Sequence, residues 1–236
     1  MKVLVLGATG QTGYHVVKQF LENSIQVKAI VRNAEKFKDM QSDKNLELYV
    51  ESILDLEDKR LEEILADVDA VISCLGHNIS LKGMFGKPHY LVTEAMTKII
   101  TNINNENLKK FILMNTTACL NTQQKEKFTF GESLVMGMMR ILLPPQRDND
   151  RALKYLEENI KEENELEWVA VRPDTLITDD QVTEYEIFES PQRSPIFNAG
   201  KTSRINVAHF MMKLTLNEEL WKEWKYKTPV LYNKEI

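Results

Sequence analysis

Residues 1–13, MKVLVLGATGQTG, run a short apolar segment, Val3 to Leu6, directly into three glycines, Gly7, Gly10 and Gly13, and apolar residues at helical spacing resume at Val16. Strand, tight turn and helix N-terminus follow one another in the order a dinucleotide pyrophosphate requires. The chain must turn sharply at Gly7 and approach the pyrophosphate closely at Gly10, while Gly13 lets the helix pack tightly on the strand. A Cβ at these points obstructs one of those jobs. N–H groups left free at the helix start, with the positive end of its dipole, then offer a phosphate site. Thr9 and Thr12 add hydroxyls able to cap the helix or touch phosphate. The expected cofactor cradle is thus Gly7, Ala8, Thr9, Gly10, Gln11, Thr12 and Gly13.

The identity of the dinucleotide is read from the end of the second apolar run, Val27 to Val31, which is followed by Arg32 and Asn33. An acid here would hold the ribose 2′-hydroxyl of NAD, whereas an arginine pairs with the 2′-phosphate of NADP. The first acid is Glu35. NADP(H) is therefore expected over NAD(H), with Arg32 on the 2′-phosphate.

Apolar runs recur at 3–6, 27–31, 46–50, 70–75, 110–114 and 167–171, and the stretches between the first few carry helix-compatible spacing. This alternation predicts an α/β fold with a doubly wound parallel sheet, one domain over residues 1–236. Right-handed crossovers place all the strand C-termini on one edge, so functional residues are sought there. Residues 174–204, of mixed polarity with Pro191, Pro195 and Gly200, are expected to form a variable substrate-side wall, and the glutamate-rich run 157–167 the solvated end of a helix.

The chain has 236 residues, 43% hydrophobic and 28% charged, with net charge −5 and basic residues scattered among acids. No basic face points to nucleic acid or an anionic membrane, and no apolar stretch approaches the ~20 residues of a membrane span. Cys74 and Cys119 lack C-x-x-C spacing, which argues against a disulfide framework or zinc site and fits a reducing cytoplasm. His15, His77, His89 and His209 are dispersed without metal-ligand spacing, so no metal is expected. His15 and His209 read as helix-packing residues, whereas His77 and His89 flank the 76–89 loop beside the proposed cofactor edge, where either could touch substrate. Asp179 and Asp180 read as a solvated turn.

GATGQTG at the N-terminus, VRN after the second run, AVISCLG at 70–76, WVAVRPD at 168–174, INVAHFM at 205–211 and TPVLYN at 228–233 resemble the atypical short-chain dehydrogenase/reductase group, nearest to its NAD(P)H-binding, NmrA-like members of the biliverdin reductase B and flavin reductase type. The resemblance spans essentially the whole chain and implies a Rossmann fold. It also implies that the loop holding Leu75 and Gly76 flanks the cofactor and that the end of the fifth strand carries a catalytic or ribose-side hydroxyl. Thr117 aligns best with that position and Thr116 is the fallback, unless both hydroxyls merely bond local backbone.

The Tyr-x-x-x-Lys dyad of classical members, in which tyrosine donates a proton and lysine lowers its pKa, occurs once, at Tyr14 and Lys18. Those residues follow the glycine loop, far from any nicotinamide, so the match reads as chance. On the helix that would carry the dyad, Lys154 aligns with a lysine of many atypical members and Tyr155 neighbours it, without the classical spacing. Phe128, Phe130, Met136, Met138 and Met139 suggest either an apolar lid or ordinary packing.

What survives the missing dyad is hydride transfer to an acceptor that needs little acid catalysis, such as a flavin, quinone or conjugated tetrapyrrole. The competing reading is a non-catalytic NADP(H) sensor that reports to a protein partner. An epimerase or dehydratase would need the dyad and a larger C-terminal domain.

Overall fold

A computed structural model describes residues 1–77 and 85–234. The N-terminal half alternates as the apolar runs predict: β1 (Lys2–Leu6), α1 (Gln11–Glu22), β2 (Gln26–Val31), a 3-10 turn (Glu35–Met40), β3 (Leu46–Val50), α2 (Asp58–Leu65), β4 (Ala70–Ser73), α3 (Leu91–Thr101) and β5 (Lys110–Met114). Two consecutive helices, α4 (Phe130–Leu142) and α5 (Pro144–Asn159), lead into β6 (Glu167–Pro173). The remainder holds β7 (Thr175–Ile177), β8 (Tyr185–Phe188), β9 (Lys201–Ser203), α6 (Arg204–Leu216), α7 (Glu218–Trp224) and β10 (Val230–Asn233).

The main sheet runs β3-β2-β1-β4-β5-β6-β10-β8, parallel throughout except for β8, which lies antiparallel to β10 at the edge. Alternate side chains of each strand feed different cores. Val3 and Val5 of β1 join Val16, Phe20, Phe210 and Trp221 on the face covered by α1, α6 and α7. Leu4 and Leu6 join Leu61, Ile64, Met96 and Leu156 on the face covered by α2, α3 and α5. A sheet buried on both faces accounts for the near-continuous apolar strands. The order reverses between β1 and β4, and the crevice at their carboxyl ends is the ligand position of such sheets.

Four strands escape the apolar-run pattern. The 174–204 stretch is not simply a wall, because it contains β7 and β9, which pair with each other, and β8, which extends the main sheet. Three- and four-residue strands are too short for a two-residue period to stand out. In the glutamate-rich run, Glu158 and Glu162 to Glu165 are exposed as expected, but Glu157 is buried and accepts a hydrogen bond from the Thr122 hydroxyl at 2.8 Å. Among the described residues no helix is long and apolar enough to cross a membrane.

Candidate functional site

The glycine turn is built by exclusion. Gly7 has φ +70°, and a Cβ there would sit 2.5 Å from the Cys74 carbonyl oxygen at the end of β4. The Gly10 N–H donates to the Gly7 carbonyl at 2.8 Å, closing the turn. Gly13 presses against the turn itself rather than the strand, since a Cβ there would meet the Gly7 carbonyl oxygen at 2.3 Å. Helix α1 starts from Gly10 with no side-chain cap and no acid in its first turn, so neither Thr9 nor Thr12 caps it. Its leading N–H groups are suited to an anion. Ala8 and Thr12 are buried in support of the turn, Gln11 is exposed, and Thr9 lines the clefts on either side.

From this turn a cleft of about 660 Å³ extends across the carboxyl ends of β1, β2, β3 and β4. Gly7 and Gly10 form one end, Ile30, Arg32, Ile53 and Leu54 one wall, and Leu75, Gly76, His89 and Tyr90 the other. A Cβ on Gly76 would meet nothing within 4 Å, so the cleft is open there. A second hollow continues outward past Thr9, Arg32, Asn33, Glu35 and Lys36. Arg32 is exposed in it and, among the described residues, has no hydrogen-bond or ion-pair partner. Lys36 points back at the turn, its Nζ donating to the carbonyls of Thr9 at 3.0 Å and Gly10 at 3.3 Å and lying 4.9 Å from the Tyr14 ring centroid. Partial burial lowers the Lys36 pKa from its ordinary value. Glu35, the nearest acid, pairs instead with Lys38 at 2.7 Å. Sequence reasoning missed Lys36; the signal was its position four residues past Arg32, in a turn that folds back on the glycines.

These residues fit a nicotinamide dinucleotide by their chemistry: a turn whose Gly7 and Gly13 leave no room for a Cβ, and an uncapped helix start for the pyrophosphate.

Beyond Gly76 the chain enters His77, and residues 78–84 of the expected 76–89 loop lie outside the described residues. His77 Nε2 lies 2.8 Å from the carboxylate of Asp148, which is fully buried in α5. That carboxylate also accepts the Val92 N–H at 2.8 Å, the Thr93 N–H at 3.0 Å and the Thr93 hydroxyl at 2.7 Å. Asp148 thus caps α3 from another helix and holds His77, whereas His89 is exposed on the cleft wall. Burial pushes the Asp148 carboxyl up, but the hydrogen bonds from His77, Thr93 and Val92 outweigh it and leave the pKa below the ordinary value.

At the end of β5, the Thr116 hydroxyl accepts the Ala118 N–H at 3.2 Å, and Thr116 lines neither cleft. Thr117 is buried, its N–H on the Pro173 carbonyl at 3.3 Å and its hydroxyl on the Asp174 carboxylate, which also accepts the Gly200 N–H at 3.0 Å. Burial raises the Asp174 pKa. Thr117 floors a smaller cleft of about 260 Å³ with Glu126, Phe128, Glu132 and Arg193. Glu126 is held there by Arg172, which is fully buried and bridges both carboxylate oxygens at 2.7 and 2.8 Å.

Lys154 and Thr117, the two candidate catalytic residues, are not brought together. Lys154 stands on the solvent side of α5, 67% exposed and 3.7 Å from Glu158, and lines neither cleft. Tyr155 packs against the core beneath α5. Tyr14 stacks on Phe37 with ring centroids 5.7 Å apart and Lys18 pairs with Glu22 at 3.7 Å, so this spacing match builds no dyad. His15 is half-buried on α1, and His209 on α6 meets the Tyr185 hydroxyl at 2.8 Å. Asp179 accepts from the Asn233 amide at 3.2 Å and Asp180 is exposed. Among the described residues no group of three or more histidines, cysteines or acids could hold a metal ion.

A family model described as NAD(P)H-binding matches residues 7–218. An uncharacterised chloroplastic protein of Arabidopsis thaliana is 42% identical over 76 residues, which are 32% of this chain and only 27% of that protein's length. Among solved structures, a Lactobacillus casei protein superposes with TM-score 0.74 at 18% identity, each chain covered completely. The anaerobilin reductase ChuY of Escherichia coli O157:H7 gives TM-score 0.70 at 15% identity, covering 100% of this chain and 98% of that one. A short-chain dehydrogenase/reductase of Veillonella parvula in complex with NADP gives 0.71 at 14% identity, covering 98% and 94%. At these identities the structural likeness speaks for the fold, and the family match for the cofactor class. The chain belongs to the NAD(P)H-binding family and has a Rossmann fold.

Proposed function

We propose that this protein is an NADPH-dependent reductase that passes hydride to a small planar acceptor of the flavin, quinone or tetrapyrrole class. The observation that carries the reading is the meeting of Arg32 and Lys36 beside the glycine turn, with the one acid of that hollow tied to Lys38. In this reading the α1 N-terminus holds the pyrophosphate, Arg32 and Lys36 hold the 2′-phosphate, and Ile53 and Leu54 offer apolar surface to the base. The bound nicotinamide supplies the hydride. The Thr117 cleft, at the ends of β5 and β6, is the acceptor side.

Among the described residues neither Tyr14 with Lys18 nor Tyr155 with Lys154 forms a proton-donating dyad, which is in keeping with an acceptor that takes hydride with solvent as proton source. Anaerobilin reductase among the structural neighbours is in keeping with a tetrapyrrole-like acceptor.

One observation favours the sensor reading: the Thr116 and Thr117 hydroxyls already have partners in the protein. Following 340 nm absorbance while FMN, a benzoquinone and biliverdin are added in turn to protein and NADPH separates the two. Acceptor-dependent oxidation supports the reductase; tight NADPH binding with no oxidation by any acceptor overturns it in favour of the sensor.

A further inference from the structure

Helix α4 is turned inside out. Its start is well specified, with the Thr129 hydroxyl and the Glu132 carboxylate forming a reciprocal capping box, yet only Glu132 and Met136 of the helix are buried. Phe130, Leu134, Met138, Ile141 and Leu142, spaced as one helical face, are exposed, Phe130 by 90% and Ile141 by 76%. Phe197, 65% exposed, reaches the same helix at Gly131, whose added Cβ would lie 3.5 Å from its ring. Six large apolar side chains so displayed make on the order of 700 Å² of surface, beyond the largest patch a typical monomer leaves bare.

The charges around this face choose its occupant. Of the nearby acids, Glu126 is bound by Arg172, Glu132 is buried in the capping box, Asp148 is buried on His77 and Asp150 pairs with Arg140 at 2.7 Å. The cations before and after the helix, Lys125, Lys127 and Arg147, are exposed and have no acidic partner among the described residues. A protein of net charge −5 therefore shows, at both ends of its apolar helix, positive charge alone. A two-fold contact with a second copy would bring these like charges together, whereas a surface of anionic lipid headgroups would neutralise them while the acyl boundary takes up the apolar residues.

We infer that α4 and Phe197 form a docking face for an anionic membrane surface. The helix lies in the headgroup plane, with Phe130, Ile141 and Phe197 inserted and Lys125, Lys127 and Arg147 on the lipid phosphates. This assignment does not rest on the redox reading.

Sedimentation of the full chain with vesicles of phosphatidylcholine alone, or of equal parts phosphatidylcholine and phosphatidylglycerol, tests it, with sedimentation velocity run in parallel for oligomeric state. The expected result is monomeric protein that sediments with the anionic vesicles, is released by high salt, and loses binding in Phe130→Glu/Ile141→Glu with its circular dichroism unchanged. Lys125→Ala and Lys127→Ala should each weaken binding roughly fivefold, the equivalent of about 1 kcal/mol per basic residue. No vesicle binding, binding indifferent to phosphatidylglycerol, or a dimer that the Phe130→Glu/Ile141→Glu variant dissociates would each overturn the proposal.

Discussion

Gly13 and Gly76 border the same cradle for opposite reasons, and a methyl group on each tells them apart. At Gly13 an added Cβ meets the Gly7 carbonyl oxygen at 2.3 Å, and backbone on both sides leaves nothing flexible to yield. Gly13→Ala should cost about 1–3 kcal/mol, lowering Tm by roughly 2–10 °C in a thermal melt and weakening dinucleotide binding with it. At Gly76 the methyl finds open space facing the cleft, so Gly76→Ala should leave Tm unchanged while reducing NADPH affinity in a fluorescence titration. Unchanged affinity in Gly76→Ala would take that wall out of the site. The glycines were legible because spacing in a turn is local, and Arg32 because strand end and side chain are adjacent in sequence. Lys36 was not, because its value lies in a 3-10 turn that returns its ammonium to the carbonyls of Thr9 and Gly10.

At the scale of elements, α3 depends on a residue that is not its own. Its first N–H groups are satisfied by Asp148 of α5, whose carboxylate also fixes His77 at the end of β4. Asp148→Asn keeps the shape but loses the charge, and should destabilise the protein by about 2–4 kcal/mol, read as a Tm lower by roughly 5–15 °C. Because its pKa is held below the ordinary 3.8, the stability Asp148 contributes is fully present above that value and is lost as pH falls through the lowered one. The gap between wild type and variant should therefore narrow as pH falls below about 4. A gap still constant at pH 2 to 3 would assign the effect to shape instead. That His77 is held by Asp148, 71 residues away, could not be read from the sequence, which placed His77 only beside the cofactor edge. The first six strands, by contrast, were legible as apolar runs, because burial on both faces leaves little polar interruption. β8 and β10 complete the sheet from short segments whose strand character comes from pairing with each other, a non-local cause.

Across the whole molecule, the reversal of strand order between β1 and β4 puts the glycine turn, the end of β2 and the opening at Gly76 around one cleft. That convergence was foreseeable from strand-helix alternation alone. The smaller cleft was foreseeable only in part: the β5 end with Thr117 and the 174–204 segment were both read as substrate-side, but Glu126 and Lys127, which join them there, were not. Under the proposed function this cleft is an NADP site made selective by Arg32 and Lys36. A charge-assisted bond to phosphate is worth about 1.5–3 kcal/mol, so Arg32→Ala should cut the ratio of NADPH to NADH affinity roughly 10- to 100-fold. The measurement to make is fluorescence titration of wild type, Arg32→Ala and Lys36→Ala with both cofactors. If Arg32 and Lys36 hold the 2′-phosphate, wild type prefers NADPH, each variant loses part of that preference and NADH affinity hardly changes; a wild type without preference, or variants with an unaltered ratio, would overturn this assignment.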